Sequence, residues 1–209
     1  MSDTTIGYRW LRQCAVLAAL FVLVGCASTP PPSEPGVIDD PLAAFEQRQG
    51  ILGVLDKWSA NGRLALSTTD QSLNASVRWE QNVERYVIRL SGPFGVGATE
   101  LHGAPGFVAV ETEDKVHTAK TPEDLVENVL GWRIPVSGLR HWLMGLVAPG
   151  IEIEDMRIDE FGRIEYLKQA GWAIRYKRYS ETPLLDMPTK VFMDSKLLKA
   201  RVVVQEWGF

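Results

Sequence analysis

Beyond residue 38 the apolar positions first recur at helical spacing. Leu42, Phe45, Leu52 and Leu55 share one face of a helix that opens at Asp39-Asp40-Pro41, an acidic cap followed by a proline in the first turn, and that is predicted to run to about Lys57. From Trp58 the period changes to two. Trp58, Ala60, Gly62, Leu64 and Leu66 alternate with polar neighbours, as do Leu73, Ala75, Val77 and Trp79, and then Tyr86, Ile88 and Leu90. Such alternation predicts antiparallel strands with one buried face. Thr69-Asp70, Gln81-Asn82 and Ser91-Gly92-Pro93 are the predicted turns between them. Shorter strands are expected over 99–102, 107–111 and 115–119.

Two short helices come next. Thr121-Pro122-Glu123-Asp124 supplies cap, proline and acidic first turn for one. The other starts near Ser137 and carries Leu139, Trp142, Leu143 and Leu146 on one side. Strand periodicity returns over 151–158, 163–168 and 172–179, with turns at Glu160-Phe161-Gly162 and Gln169-Ala170-Gly171, and closes with 190–194 and 198–207. About ten or eleven strands in two runs, with two helices between the runs and one before them, make an α+β arrangement on an antiparallel sheet. A sheet of that size curls or closes, and the helices must cover its apolar face or plug its opening.

The first thirty residues follow a different logic. Arg9 and Arg12 precede an apolar run from Cys14 to Val24. That run is too short to span a bilayer, which takes ~20 apolar residues. A basic start, a short apolar middle and a small-residue end describe a secretory leader. Leu23-Val24-Gly25-Cys26 matches the lipobox of bacterial lipoproteins, which implies cleavage before Cys26, diacylglycerol on its sulfur and an acyl group on its new amine. Several chains, at ~0.8 kcal/mol per buried methylene, make a lasting anchor where one would be marginal. Ala27, in place of the aspartate that marks inner-membrane retention in enteric bacteria, resembles an outer-membrane address. From Ser28 to Gly36 the prolines Pro30, Pro31, Pro32 and Pro35 make an extended tether that buries nothing. The expected organisation is a leader over 1–25, a lipidated N-terminus and tether over 26–38, and one domain over 39–209.

Composition narrows the function. The net charge of −4 argues against nucleic acid, whose backbone selects basic patches. Both cysteines are accounted for, Cys14 in the leader and Cys26 as the lipidation site, so no disulfide is expected and the core must carry the stability. His102, His117 and His141 show no metal-ligand spacing, and a surface imidazole is expected at His141. A Gly-x-Ser-x-Gly elbow and a phosphate-binding loop are absent from the sequence. Glu113-Asp114, Glu123-Asp124 and Glu154-Asp155 read as solvated surface. No enzymatic activity, metal or cofactor is expected.

One loop stands out. Ser91-Gly92-Pro93-Phe94-Gly95-Val96-Gly97-Ala98 joins two strands and places Phe94 and Val96 at its tip, with Pro93 and Gly95 beside them. Two readings fit: a probe that touches lipid or acyl chains, or a phenylalanine folded back onto the barrel mouth.

At this loop the chain resembles the LolB family of outer-membrane lipoprotein receptors. The resemblance rests on Trp58-x-Ala60-x-Gly62-x-Leu64, Gly92-Pro93-Phe94-Gly95, Thr99-Glu100-Leu101 and Met187-Pro188. Its most specific stretch is Ile134-Pro135-x-x-x-Leu139-Arg140-x-Trp142-Leu143-x-Gly145-Leu146. It implies a half-closed antiparallel β-barrel of about eleven strands with a helical lid over an apolar cavity. It also implies passive uptake of lipoprotein cargo by its acyl chains from the periplasmic carrier LolA, and insertion into outer-membrane lipid on the periplasmic face. A monomer is expected. The family's membrane-inserting loop carries a leucine where this chain has Phe94. Candidate cavity residues are Trp79, Tyr86, Ile88, Leu101, Trp132, Leu139, Trp142 and Leu143. For any single one of them ordinary core is the preferred reading, because periodicity shows which face is apolar and not which part is hollow. A tethered structural or assembly lipoprotein that binds a protein partner is the alternative; it predicts a filled barrel.

Overall fold

A computed structural model describes residues 39–92, 98–111, 115–130 and 135–209. Helix α1 (Pro41–Gly53) leads into strands β1 (Lys57–Ser67), β2 (Ser72–Asn82), β3 (Arg85–Ser91), β4 (Thr99–Ala104), β5 (Phe107–Glu111) and β6 (Val116–Ala119). Helices α2 (Pro122–Leu130) and α3 (Val136–Leu143) follow. Strands β7 (Ile153–Ile158), β8 (Ile164–Gln169), β9 (Trp172–Ser180), β10 (Met187–Asp194) and β11 (Lys199–Gly208) complete the chain.

Among the described residues, eleven strands join one antiparallel sheet in the order β6-β5-β4-β3-β2-β1-β11-β10-β9-β8-β7. It is two meanders sewn together where β1 pairs with β11. β6 and β7 are left as edges, so the barrel is half closed. The connection from β6 to β7 must pass from one edge to the other, and α2 and α3 are that connection. This topology puts two helices across the opening. At the seam, β1 bulges between Asn61 and Gly62, and a Cβ at Gly62 would stand 2.1 Å from the Val203 carbonyl oxygen. Only glycine lets the two backbones approach there.

Local chemistry explains the helix ends. Asp40 Oδ1 accepts from Leu42 N and Ala43 N, both at 3.0 Å, which caps α1. Thr121 Oγ1 accepts from Asp124 N at 3.1 Å at the start of α2. At the end of α3, Leu146 N donates to His141 O (2.9 Å) and Gly145 N to Trp142 O (3.1 Å), with Gly145 at φ +76. This pair of bonds about a left-handed glycine is a Schellman stop. Leu146, expected on the helix, therefore lies just past it.

Three expectations are corrected. The first helix ends at Gly53 rather than near Lys57, where β1 already begins. Its buried side carries Arg48 and Leu52, whereas Leu42 is 57% exposed. The Arg48 guanidinium donates to the Asp186 carbonyl and lies 5.3 Å from the centre of the Tyr179 ring, which is how a cation is tolerated there. Gln81-Asn82 are strand and not turn; the turn falls on Val83 (φ +59) and Glu84. Gln81 is buried because its amide accepts from Trp79 Nε1 (3.0 Å) and donates to Val83 O (2.7 Å). Finally, β10 starts at Met187, with Pro188 tolerated beside a bulge in its pairing with β9.

The densest core lies under β8, β9 and β10, where Ile164, Leu167, Ile174, Met187 and Val191 are fully buried with Trp142 of α3. Gln169 sits inside it. Its Oε1 accepts from Trp142 Nε1 (2.9 Å) and Ala148 N (3.0 Å), and its Nε2 donates to Ala148 O (3.2 Å) and Ile151 O (2.8 Å). All the hydrogen-bonding capacity of a buried amide is met, so the polar group is no liability.

Candidate functional site: an apolar cavity beneath the helices

The inward faces of the first meander do not close on themselves. Leu64 and Leu66 of β1, Leu73, Val77 and Trp79 of β2, Ile88 and Leu90 of β3, Leu101 of β4 and Val110 of β5 wall a cavity of about 410 Å³. Met193, Leu198, Ala200, Val202 and Val204 extend the wall onto β10 and β11 and the turn between them. Leu125, Val126 and Val129 of α2 and Val136, Leu139 and Leu143 of α3 form the roof. Leu125 also packs on Val108 and Val110, which pins α2 to the sheet near the β6 edge. Among the described residues, the only polar side chains on the wall are Asn61 and Thr99.

This composition follows from the alternation. Register pairs Leu64 with Ala75, Val77 with Leu90, and Ile88 with Leu101, so the apolar face of each strand continues into the next. Among the described residues no side chain on this wall titrates, and only Asn61 and Thr99 offer a polar group. What it can do is shelter alkyl chains, at ~25 cal/mol per Å² of apolar surface removed from water. Its volume falls in the range of ~300–1,000 Å³ usual for small-molecule sites.

A second, more polar cavity of about 370 Å³ lies behind Trp79 and Val136, which line both. Tyr86, Arg140 and His141 are on its wall. The Tyr86 ring lies across Gly103, where a Cβ would meet it at 2.0 Å. Burial pushes the Tyr86 hydroxyl up to about 12, with the charge of Glu123 adding to it. His141 is half-buried and not a surface group; burial lowers its pKa, and Arg140 lowers it further.

The structure brings Trp79, Ile88, Leu101, Leu139 and Leu143 together on the apolar wall. Tyr86 belongs to the second cavity. Trp142 is corrected: it is fully enclosed in the packed core against Trp172, held by Gln169, and lines neither cavity. Trp132, Pro93, Phe94, Gly95, Val96 and Cys26 lie outside the described residues. Leu64, Leu66, Leu73 and Val77 are on the wall and not among the candidates, though the period that marks Trp79 and Ile88 marks them too. The β10 and β11 contributors are not among the candidates either, and their place on the wall depends on the β1–β11 seam. Of the acidic pairs, Glu123 accepts from Ser137 N (2.8 Å) and so ties the start of α2 to α3, and Glu154 pairs with Lys168 at the surface (2.8 Å).

The family model described as outer membrane lipoprotein LolB matches residues 56–207. The chain is 34% identical over 200 residues to an outer-membrane lipoprotein LolB of Nitrosococcus oceani, covering 95% of this chain and 98% of that one. It is 40% identical over 196 residues to one of Alkalilimnicola ehrlichii, covering 93% and 94%. Among solved structures, a LolA superfamily protein from Nitrosomonas europaea superposes with a TM-score of 0.51 at 8% identity, over 80% of this chain and 92% of that one, a likeness of fold. By family match, by identity along nearly its whole length and by the half-closed barrel under its helices, this chain belongs to the LolB family of outer-membrane lipoproteins.

Proposed function

We propose that the chain is an outer-membrane lipoprotein receptor: it accepts lipoproteins from the periplasmic carrier LolA by taking their acyl chains into the apolar cavity, and passes them to the outer membrane. The carrying observation is the hollow itself, roofed by α2 and α3 and walled almost wholly by aliphatic side chains. A structural lipoprotein docking through a sheet edge has no use for such a space. Transfer needs no cofactor if cargo binds here more tightly than on the carrier and less tightly than in the bilayer.

In this reading Cys26 carries the lipid anchor on the periplasmic face, residues 28–36 are the tether, and the receptor works as a monomer. Phe94, assisted by Val96 on the same loop with Pro93 and Gly95, takes the membrane-inserting role that a leucine has in the family. The test is transfer of an acylated lipoprotein from its complex with the carrier to the purified protein, followed by delivery to vesicles. Uptake and delivery are expected, with Phe94→Glu impaired in delivery. A folded, monomeric protein that takes no cargo overturns the reading.

A further inference from the structure

The turn between β10 and β11 presents a side chain that the fold does not use. Ser67 pairs with Ser72 and with Lys199, and Ser76 pairs with Ser91. β1, β3 and β10 therefore end, and β2, β4 and β11 begin, toward the same end of the sheet. At that end Leu197 is 74% exposed. Its exposure is not slackness. Ser195 Oγ accepts from Leu198 N at 3.1 Å, and Ser195 N donates to Leu198 O at 2.9 Å, which closes the turn. The same turn folds Leu198 inward onto the cavity wall and holds Leu197 out.

Within the turn the exposed charges have one sign, and Asp70 is the carboxylate of the adjoining β1–β2 turn. Lys196 and Lys199 are exposed on either side of Leu197, and Arg201 follows on the outer face of β11. The nearby carboxylate, Asp194, is engaged by Arg175. An apolar tip between lysines matches a phospholipid surface, where the leucine enters the acyl boundary and the ammonium groups stay among anionic headgroups.

We propose that the β10–β11 turn is a membrane contact, with Leu197 inserted into the bilayer interface and Lys196 and Lys199 on anionic headgroups. It holds the end of the cavity that Leu198 lines against the membrane receiving the cargo. In that last respect it rests on the receptor reading.

The test uses the full lipidated chain in vesicles of phosphatidylethanolamine and phosphatidylglycerol. Cys26 is occupied by lipid in that state, so Leu197→Cys places one reactive thiol for an environment-sensitive fluorophore. Val54→Cys, equally exposed (77%) and next to the start of β1 at the opposite end of the sheet, is the control. A blue shift and quenching by spin-labelled lipid are expected at position 197 and not at 54. No quenching at 197, or equal quenching at both, overturns the proposal. In the transfer assay Leu197→Asp is expected to slow delivery to vesicles about tenfold, the scale of losing one leucine's burial, with uptake from the carrier unchanged. Delivery at the wild-type rate overturns the proposal and leaves the receptor reading standing. If the wild type takes up no cargo, the receptor reading fails, and the quenching contrast alone decides the membrane contact.

Discussion

Two halves of the inner face have the same kind of sequence and opposite packing. In β8, Ile164 and Leu167 point inward and are fully buried, because Trp142 and its neighbours fill the space above them. In β3, Tyr86, Ile88 and Leu90 also point inward, yet no residue of the strand is fully buried, although it has strands on both sides. The difference is what stands opposite. α3 drives a tryptophan into the core under β8–β10. Over the first meander α2 and α3 present Val126, Val129 and Leu139, which reach the roof of a space and do not fill it. An inward aliphatic side chain left half-buried in the middle of a sheet is thus the mark of the hollow.

The contrast makes the filled half carry stability and the hollow half carry binding. The largest expected effect is Trp142→Ala, which opens a cavity in the filled half and removes one of the two donors to Gln169 Oε1. It should cost about 3–5 kcal/mol, read by urea unfolding. A loss below about 1 kcal/mol would show that the two halves are not packed differently. Gln169→Leu comes next, since it leaves the Trp142 indole N–H and the Ala148 N–H buried without their acceptor. About 2–4 kcal/mol is expected by the same measurement.

A paired substitution sharpens the comparison further. Val191→Phe adds bulk where no room exists and should destabilise by about 1–3 kcal/mol. Val77→Phe adds the same bulk beside the cavity and should change stability by less than about 1 kcal/mol while lowering uptake of acylated cargo, because it occupies the space the chains would use. Equal losses of stability in the two variants would break the distinction. The smallest effect is expected from pH. Burial holds the His141 pKa below its ordinary 6.5, so the unfolded chain binds a proton that the folded one resists. The contribution of the neutral ring is present above that value and is lost as pH falls below it. His141→Gln should flatten the loss of thermal stability on mild acidification; an unchanged pH profile would remove His141 from that role.

Much of this was legible one residue at a time. Asp40 and Thr121 mark helix starts because a side-chain oxygen satisfies free N–H groups a few residues away, and that depends on adjacent sequence only. The alternation from Trp58 onward was legible for the same reason, since successive side chains of a strand point to opposite faces. Gln81 misled because an amide in a strand looks like a turn residue until Trp79 and Val83 are seen to use it. The burial of Arg48 was not legible because its partners, the Asp186 carbonyl and the Tyr179 ring, lie far along the chain.

Local sequence was enough for ten or eleven strands in two runs and for the helices found among the described residues, for the apolar face of each strand, and for membership of a family recognisable by its motifs. Which apolar residues meet and which leave a gap follows from the packing of elements distant in the chain. Trp142 and Leu143 are neighbours on one helix, yet one is locked in the core and the other roofs the cavity. Local spacing fixes the direction a side chain points. Whether it finds a partner there depends on the seam between β1 and β11 and on the path of α2 and α3 from one sheet edge to the other, and both are relations between residues far apart in the chain.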